Sequence, residues 1–154
     1  MALIIRQSRR SEMDLLVRHY MALCQAYDVP SAAFRDDWGI VIERFLRDAT
    51  RHRELTCHVA ELDGQVAGSL MTQAQILPYP DVLKSSYRKH GYLLGAYVLP
   101  ELRGHGIATE LLRVSLAHLK QIGCTKCVLH AADRARSLYE RAGFEPSNEM
   151  RLNL

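Results

Sequence analysis

The residues of this chain with the most chemical content are Arg103, Gly104, His105 and Gly106. They follow an apolar, β-like run, Tyr97-Val98-Leu99, that stops at Pro100, and they lead into the amphipathic stretch that opens Ile107-Ala108. A strand that breaks at proline and restarts as a helix through Arg-Gly-x-Gly builds an anion cradle. A Cβ keeps a ligand phosphate off the backbone, so Gly104 and Gly106 permit close approach. The helix starting near Gly106 aims free N–H groups and the positive end of its dipole at the same place. Arg103 adds a charged fork. Two other phosphate loops fit poorly: no Lys-Ser/Thr pair follows Gly106 as a Walker loop needs, and Thr109 stands where a dinucleotide fingerprint needs its third glycine.

What remains, Arg103-x-x-Gly106-x-Ala108 after an apolar strand, resembles the acetyl-coenzyme A pyrophosphate signature of the GCN5-related N-acetyltransferase (GNAT) superfamily. About thirty residues on, Ala135-Arg136-Ser137-Leu138-Tyr139-Glu140-Arg141-Ala142-Gly143-Phe144 resembles the same superfamily's short helix carrying Leu-Tyr-Glu and closing on Gly-Phe. The resemblance implies a single N-acetyltransferase domain over residues 1–154, of α/β (α+β) class. Its mixed, mostly antiparallel sheet would carry helices on both faces and splay between strands four and five. It implies acetyl-CoA as cosubstrate and no metal. Coenzyme contacts map onto Ala96, Tyr97 and Val98, pairing with pantetheine, onto Arg103, Gly104, His105, Gly106, Ile107 and Ala108 around the pyrophosphate, and onto Tyr139. The Val98 N–H is the candidate to polarise the thioester carbonyl. Tyr139 is the candidate general acid, a phenol of pKa ~10 placed to protonate the departing thiolate.

The chain departs from the superfamily pattern twice. Strand four, Gly91-Tyr92-Leu93-Leu94-Gly95-Ala96, lacks the glutamate that many protein-acetylating members carry there, which leaves Glu61, His90, Tyr92 and Tyr97 as candidate bases. Ala132 stands where many members hold pantetheine with an asparagine.

The elements that must position these residues follow from periodicity. Leu3-Ile4-Ile5-Arg6 reads as a first strand, and Ser11 with Asp14 as a capping-box start for a helix through Cys24. A second helix spans about 37–51, strands 55–61 and 66–74 flank an Asp63-Gly64 turn, and strand four covers 92–99. The cradle helix ends at Gly123, strand five follows, and a last strand is expected near 148–152 after the Tyr139 helix. Residues 77–90 form a long excursion of the kind that often carries function.

A 154-residue chain that is 48% hydrophobic fits one core. It has no apolar run of membrane-spanning length, and its N-terminus lacks a charged region ahead of its short apolar run, so a cytoplasmic protein without membrane contact is expected. A net charge of +3, with bases and acids interleaved, does not suggest nucleic-acid binding. Cys24, Cys57, Cys124 and Cys127 read as reduced thiols; Cys124 and Cys127 have metal-ligand spacing but fall on a strand that turns them to opposite faces.

The acceptor is expected to be a primary amine of a small molecule, attacking directly in a ternary complex. Protein or peptide N-acetylation, or a non-catalytic acyl-CoA-binding regulatory module, are the alternatives. Residues 27–38, the 77–90 excursion and the chain after Phe144 would wall its pocket. Asp28, Asp36, Asp37 and Asp81 would draw in a cation, and Arg35, Arg88 and His90 a carboxylate. The resemblance makes a homodimer plausible.

Overall fold

The computed structural model describes residues 2–154. Five strands run in the order β1 (Leu3–Gln7), β2 (Thr56–Leu62), β3 (Gln65–Ala74), β4 (His90–Val98) and β5 (Lys126–Val128). All neighbours are antiparallel except β4 and β5. The β2–β3 hairpin turns through Asp63 and Gly64, both with positive φ, the geometry that matches the twist of the strands it joins.

Helices cover both faces. On one, α1 (Met13–Gln25) and α2 (Trp38–His52) pack Leu16, Met21, Ile42 and Leu46 onto Cys57, Val59 and Met71. On the other, α3 (Ile107–Gln121) sets Ile107, Leu111 and Leu112 against Ala60, Leu70 and Leu93, and α4 (Arg136–Arg141) adds Tyr139. A buried histidine–serine pair pins each layer to the sheet: His19 Nδ1 to Ser69 Oγ at 2.8 Å from α1, and His58 Nδ1 to Ser115 Oγ at 3.0 Å from β2 to α3. Among the described residues no helix is long and apolar enough to cross a membrane.

Three expectations are corrected. Ser11 does not cap α1; a 3-10 turn over Arg10–Glu12 precedes it, and the Glu12 carboxylate accepts the Arg9 amide at 2.6 Å. Glu12 also pairs with Arg6 at 2.7 Å, and these partners hold its carboxyl down at about 2. No strand forms near 148–152, because no described segment pairs with it, and Met150, Leu152 and Leu154 are exposed. Cys124 lies ahead of β5 rather than on it, while Cys127 packs into the α3-side core, where burial pushes its thiol up to about 12.

His58 links this packing to pH. Burial, and then the neighbouring His118, hold its imidazole down at about 4. The unfolded chain, with imidazoles near ~6.5, binds more protons across that interval, so stability present above pH 6.5 is lost as the pH falls toward 4. Urea unfolding between pH 7 and 5 should show stability falling with acid, at up to about 1.4 kcal/mol per pH unit. In His58→Gln, neutral throughout, this part of the slope should be gone.

Candidate active site

The site begins with an irregularity in β4. Between the pairs Met71↔Leu94 and Ser69↔Tyr97, β4 carries one residue more than β3. Gly95, at φ +64°, lies in this bulge, in a backbone conformation that residues with a Cβ adopt at a cost of roughly 1–2 kcal/mol. A bulge bends its strand and sharpens the local twist. On the other edge, pairing with β5 ends at Tyr92↔Val128, so β4 beyond Tyr92 has no strand beside it there. The Leu99 amide donates to Ala67 O at 2.9 Å. Successive strand amides point to opposite edges, so the Val98 N–H points to the open side.

The cradle follows directly. After a 3-10 turn over Pro100–Leu102, Gly104 and Gly106 have φ +81° and +77°, and Gly106 is the N-cap of α3. The helical ladder opens with Glu110 N donating to Gly106 O at 3.1 Å, which leaves the amides of Ile107, Ala108 and Thr109 without intrahelical acceptors. A Cβ on either glycine would meet nothing within 4 Å, so open space lies beside the loop. Arg103 folds back instead of standing free. Its Nε donates to Val98 O at 3.1 Å and its guanidinium lies 6.0 Å from the Tyr97 ring centroid, fastening the loop to β4.

Tyr139 reaches the same place from α4. It is 7% exposed, packs edge-on against Phe144 at 5.7 Å, and accepts the amides of Ala142 and Phe144 at its backbone carbonyl, both at 3.0 Å. Burial raises its phenol above the usual tyrosine range.

A cleft of about 650 Å³ joins these parts. Ala96, Tyr97, Val98, Arg103, Gly104, Gly106, Ile107, Ala108 and Tyr139 all line it. His105 does not: its Nδ1 turns back within 2.9 Å of Arg103 O. Of the candidate bases, Glu61 lies on β2, two strands from β4, bound by Arg6 at 2.9 Å, and His90 sits beside Gln75; neither lines the cleft, whereas Tyr92 and Tyr97 do. The 77–89 excursion contributes no lining residue; within it Arg88 pairs with Asp81 at 2.8 Å, Lys89 pairs with Glu54 at 2.7 Å, and in the earlier loop Arg35 pairs with Asp37 at 2.8 Å. Ala132 lines the cleft without offering a side-chain amide. Sequence reasoning passed over His130, Tyr20 and Arg134, which also line it. His130 is three residues past Cys127, and only the β4–β5 register brings it to Tyr92.

A family model described as Acetyltransferase (GNAT) family matches residues 21–144. The chain belongs to the GNAT acetyltransferase family.

Solved structures agree with the GNAT fold. The chain is similar to a predicted acetyltransferase from Clostridium acetobutylicum, solved with acetyl-CoA, at 23% identity and TM-score 0.82, covering 99% of this chain and 96% of that one. It is similar to a GCN5-related N-acetyltransferase from Ralstonia eutropha at 24% identity and TM-score 0.80, covering 99% of each. A ribosomal-protein-alanine N-acetyltransferase from Brucella melitensis aligns at 20% identity and TM-score 0.71, over 99% of this chain and 98% of that one.

Two glycines separate backbone strain from steric conflict in this GNAT chain. A Cβ on Gly106 meets open space, so Gly106→Ala should cost only the left-handed backbone term, about 1–2 kcal/mol. A Cβ on Gly68 would lie 2.6 Å from Tyr97 O, a backbone atom of the β4 bulge. Gly68→Ala should therefore lower the urea midpoint further than Gly106→Ala.

Proposed function

We propose that this chain transfers an acetyl group from acetyl-CoA to a primary amine of a small molecule, by direct attack in a ternary complex. One observation carries the reading: the unpaired edge of β4, the start of α3 with its free amides and Tyr139 line a single cleft. These are the donors that a pantetheine amide, a pyrophosphate and a leaving thiolate each require.

In this reading the amides at the start of α3 hold the pyrophosphate, with Gly104 and Gly106 admitting it to the backbone. The edge of β4 at Ala96, Tyr97 and Val98 takes the pantetheine. The Val98 N–H, aimed to the open side, stabilises the negative charge that forms on the carbonyl oxygen during attack. Arg103 fixes the loop to the strand, so both binding surfaces keep one geometry. Tyr139, like any tyrosine, is protonated at neutral pH, and burial disfavours its anion further. A thiolate released into the same dry region is destabilised likewise and draws that proton. A small acceptor is supported by an acceptor side walled by the tyrosines at 20, 27 and 92, with no carboxylate among the residues lining the cleft.

Thiol release from acetyl-CoA against amino acids, polyamines, aminoglycosides and peptides tests the reading, with coenzyme affinity followed by calorimetry. Turnover should concentrate in one small-amine class; turnover confined to peptides would transfer the reading to protein acetylation. Tyr139→Phe should bind acetyl-CoA normally and lose about 10²-fold or more in kcat. Unchanged turnover would remove Tyr139 from its role as acid.

A further inference from the structure

The acceptor amine must lose a proton before it attacks, and no aspartate or glutamate lines the cleft to take it. A different constellation lies at the point where β4 and β5 part. Tyr92 is the last β4 residue paired with β5, and His130 stands two residues beyond its partner Val128. The Tyr92 hydroxyl hydrogen-bonds His130 Nδ1, with the rings edge-on at 5.8 Å between centroids. On the far side of the imidazole, Nε2 lies 3.5 Å from a Glu149 carboxylate oxygen, and Arg151 holds that carboxylate at 3.2 Å. Tyr92 and His130 line the same cleft as Val98 and Tyr139. The His130 side chain is 56% exposed, which gives a proton arriving there a route to solvent.

We propose that Tyr92, His130 and Glu149 form a proton relay that activates the acceptor amine, with Tyr92 the catalytic base and the other two positioning residues. The inference rests on the acyltransferase reading above and supplies its missing base.

A phenol alone is a poor base at neutral pH because it is already protonated. Coupled to an imidazole it need not store the proton. With a hydrogen on Nε2 facing Glu149, His130 offers its Nδ1 lone pair to the Tyr92 hydroxyl. As the phenol oxygen takes a proton from the ammonium, the phenol's own proton passes to Nδ1, and the imidazolium formed faces the Glu149 carboxylate. The freed amine attacks the acetyl carbon, so the carbon–nitrogen bond forms and the carbon–sulfur bond breaks. Sulfur takes the Tyr139 proton, and Tyr139 recovers one from the nitrogen as the amide forms. Two protons leave the nitrogen; one ends on the coenzyme thiol and one on His130, from which it passes to water. The C-terminal segment, which forms no strand, thereby acquires a role: it delivers Glu149.

The test compares two small nucleophiles, ethanolamine, which arrives as an ammonium, and methoxyamine, which arrives neutral. Tyr92→Phe and His130→Gln should lower the ethanolamine rate by about 10²-fold or more and the methoxyamine rate far less, with the calorimetric acetyl-CoA affinity unchanged. Glu149→Gln, at an exposed position, should give a smaller loss of the same kind. Nitrogen-15 NMR of the free protein should find His130 with its hydrogen on Nε2. Equal loss with both amines, no loss with either, or a hydrogen on Nδ1 would overturn the relay. A wild-type protein that neither binds acetyl-CoA nor acetylates methoxyamine would overturn the acyltransferase reading beneath it.

Discussion

A strand edge inside a folded domain is a row of amide donors and acceptors, and leaving it without partners is costly unless water or a ligand satisfies it. In this chain β5 pairs with β4 for three residues and then leaves it, Tyr92↔Val128 being the last pair. The bulge at Gly95 bends β4 over the same stretch. The rest of the site is organised around that exposed edge. α3 starts at its end, α4 brings Tyr139 beside it, and Arg103 ties the intervening loop to Val98 O. A ligand with peptide-like amides and a phosphate group would supply what β5 withholds.

The remainder of the fold keeps this opening from collapsing. Two helical layers grip the sheet from opposite faces, and each is pinned by a histidine–serine hydrogen bond at a fully buried serine, Ser69 or Ser115. Such polar pairs fix how a helix lies on a sheet more sharply than apolar contacts alone, because a slipped register strands a buried donor or acceptor. Gly68 has a comparable effect on the sheet itself. Its missing side chain lets β3 lie against the bulged part of β4, where a Cβ would meet Tyr97 O at 2.6 Å.

Features set by neighbouring residues were legible in the sequence. The Asp63-Gly64 turn, the proline stop before the cradle, the glycine cap of α3 and the helix around Tyr139 all depend on residues close together in the chain, and all form. Features that depend on distant partners were not. A final strand was expected near 148–152, after the Tyr139 helix, but a strand exists only where a neighbour offers a ladder. The charges of Arg35, Asp81 and Arg88 looked available to a substrate until the fold paired them with nearby opposites. His130 drew no attention in the chain, since only the β4–β5 register places it against Tyr92, thirty-eight positions earlier. The motifs thus marked the part of the cleft around the cradle and Tyr139, whereas the part around Tyr92 and His130 is a product of topology.

In the proposed function acetyl-CoA completes the open edge of β4 and satisfies the free amides at the start of α3. Residue-resolved hydrogen exchange with and without acetyl-CoA tests this most directly. Slowed exchange is expected at Val98, whose amide faces the open side, and at Ile107–Thr109, with little change in β1 and β2. Unchanged exchange at those amides under saturating acetyl-CoA, or protection confined to another surface, would contradict it.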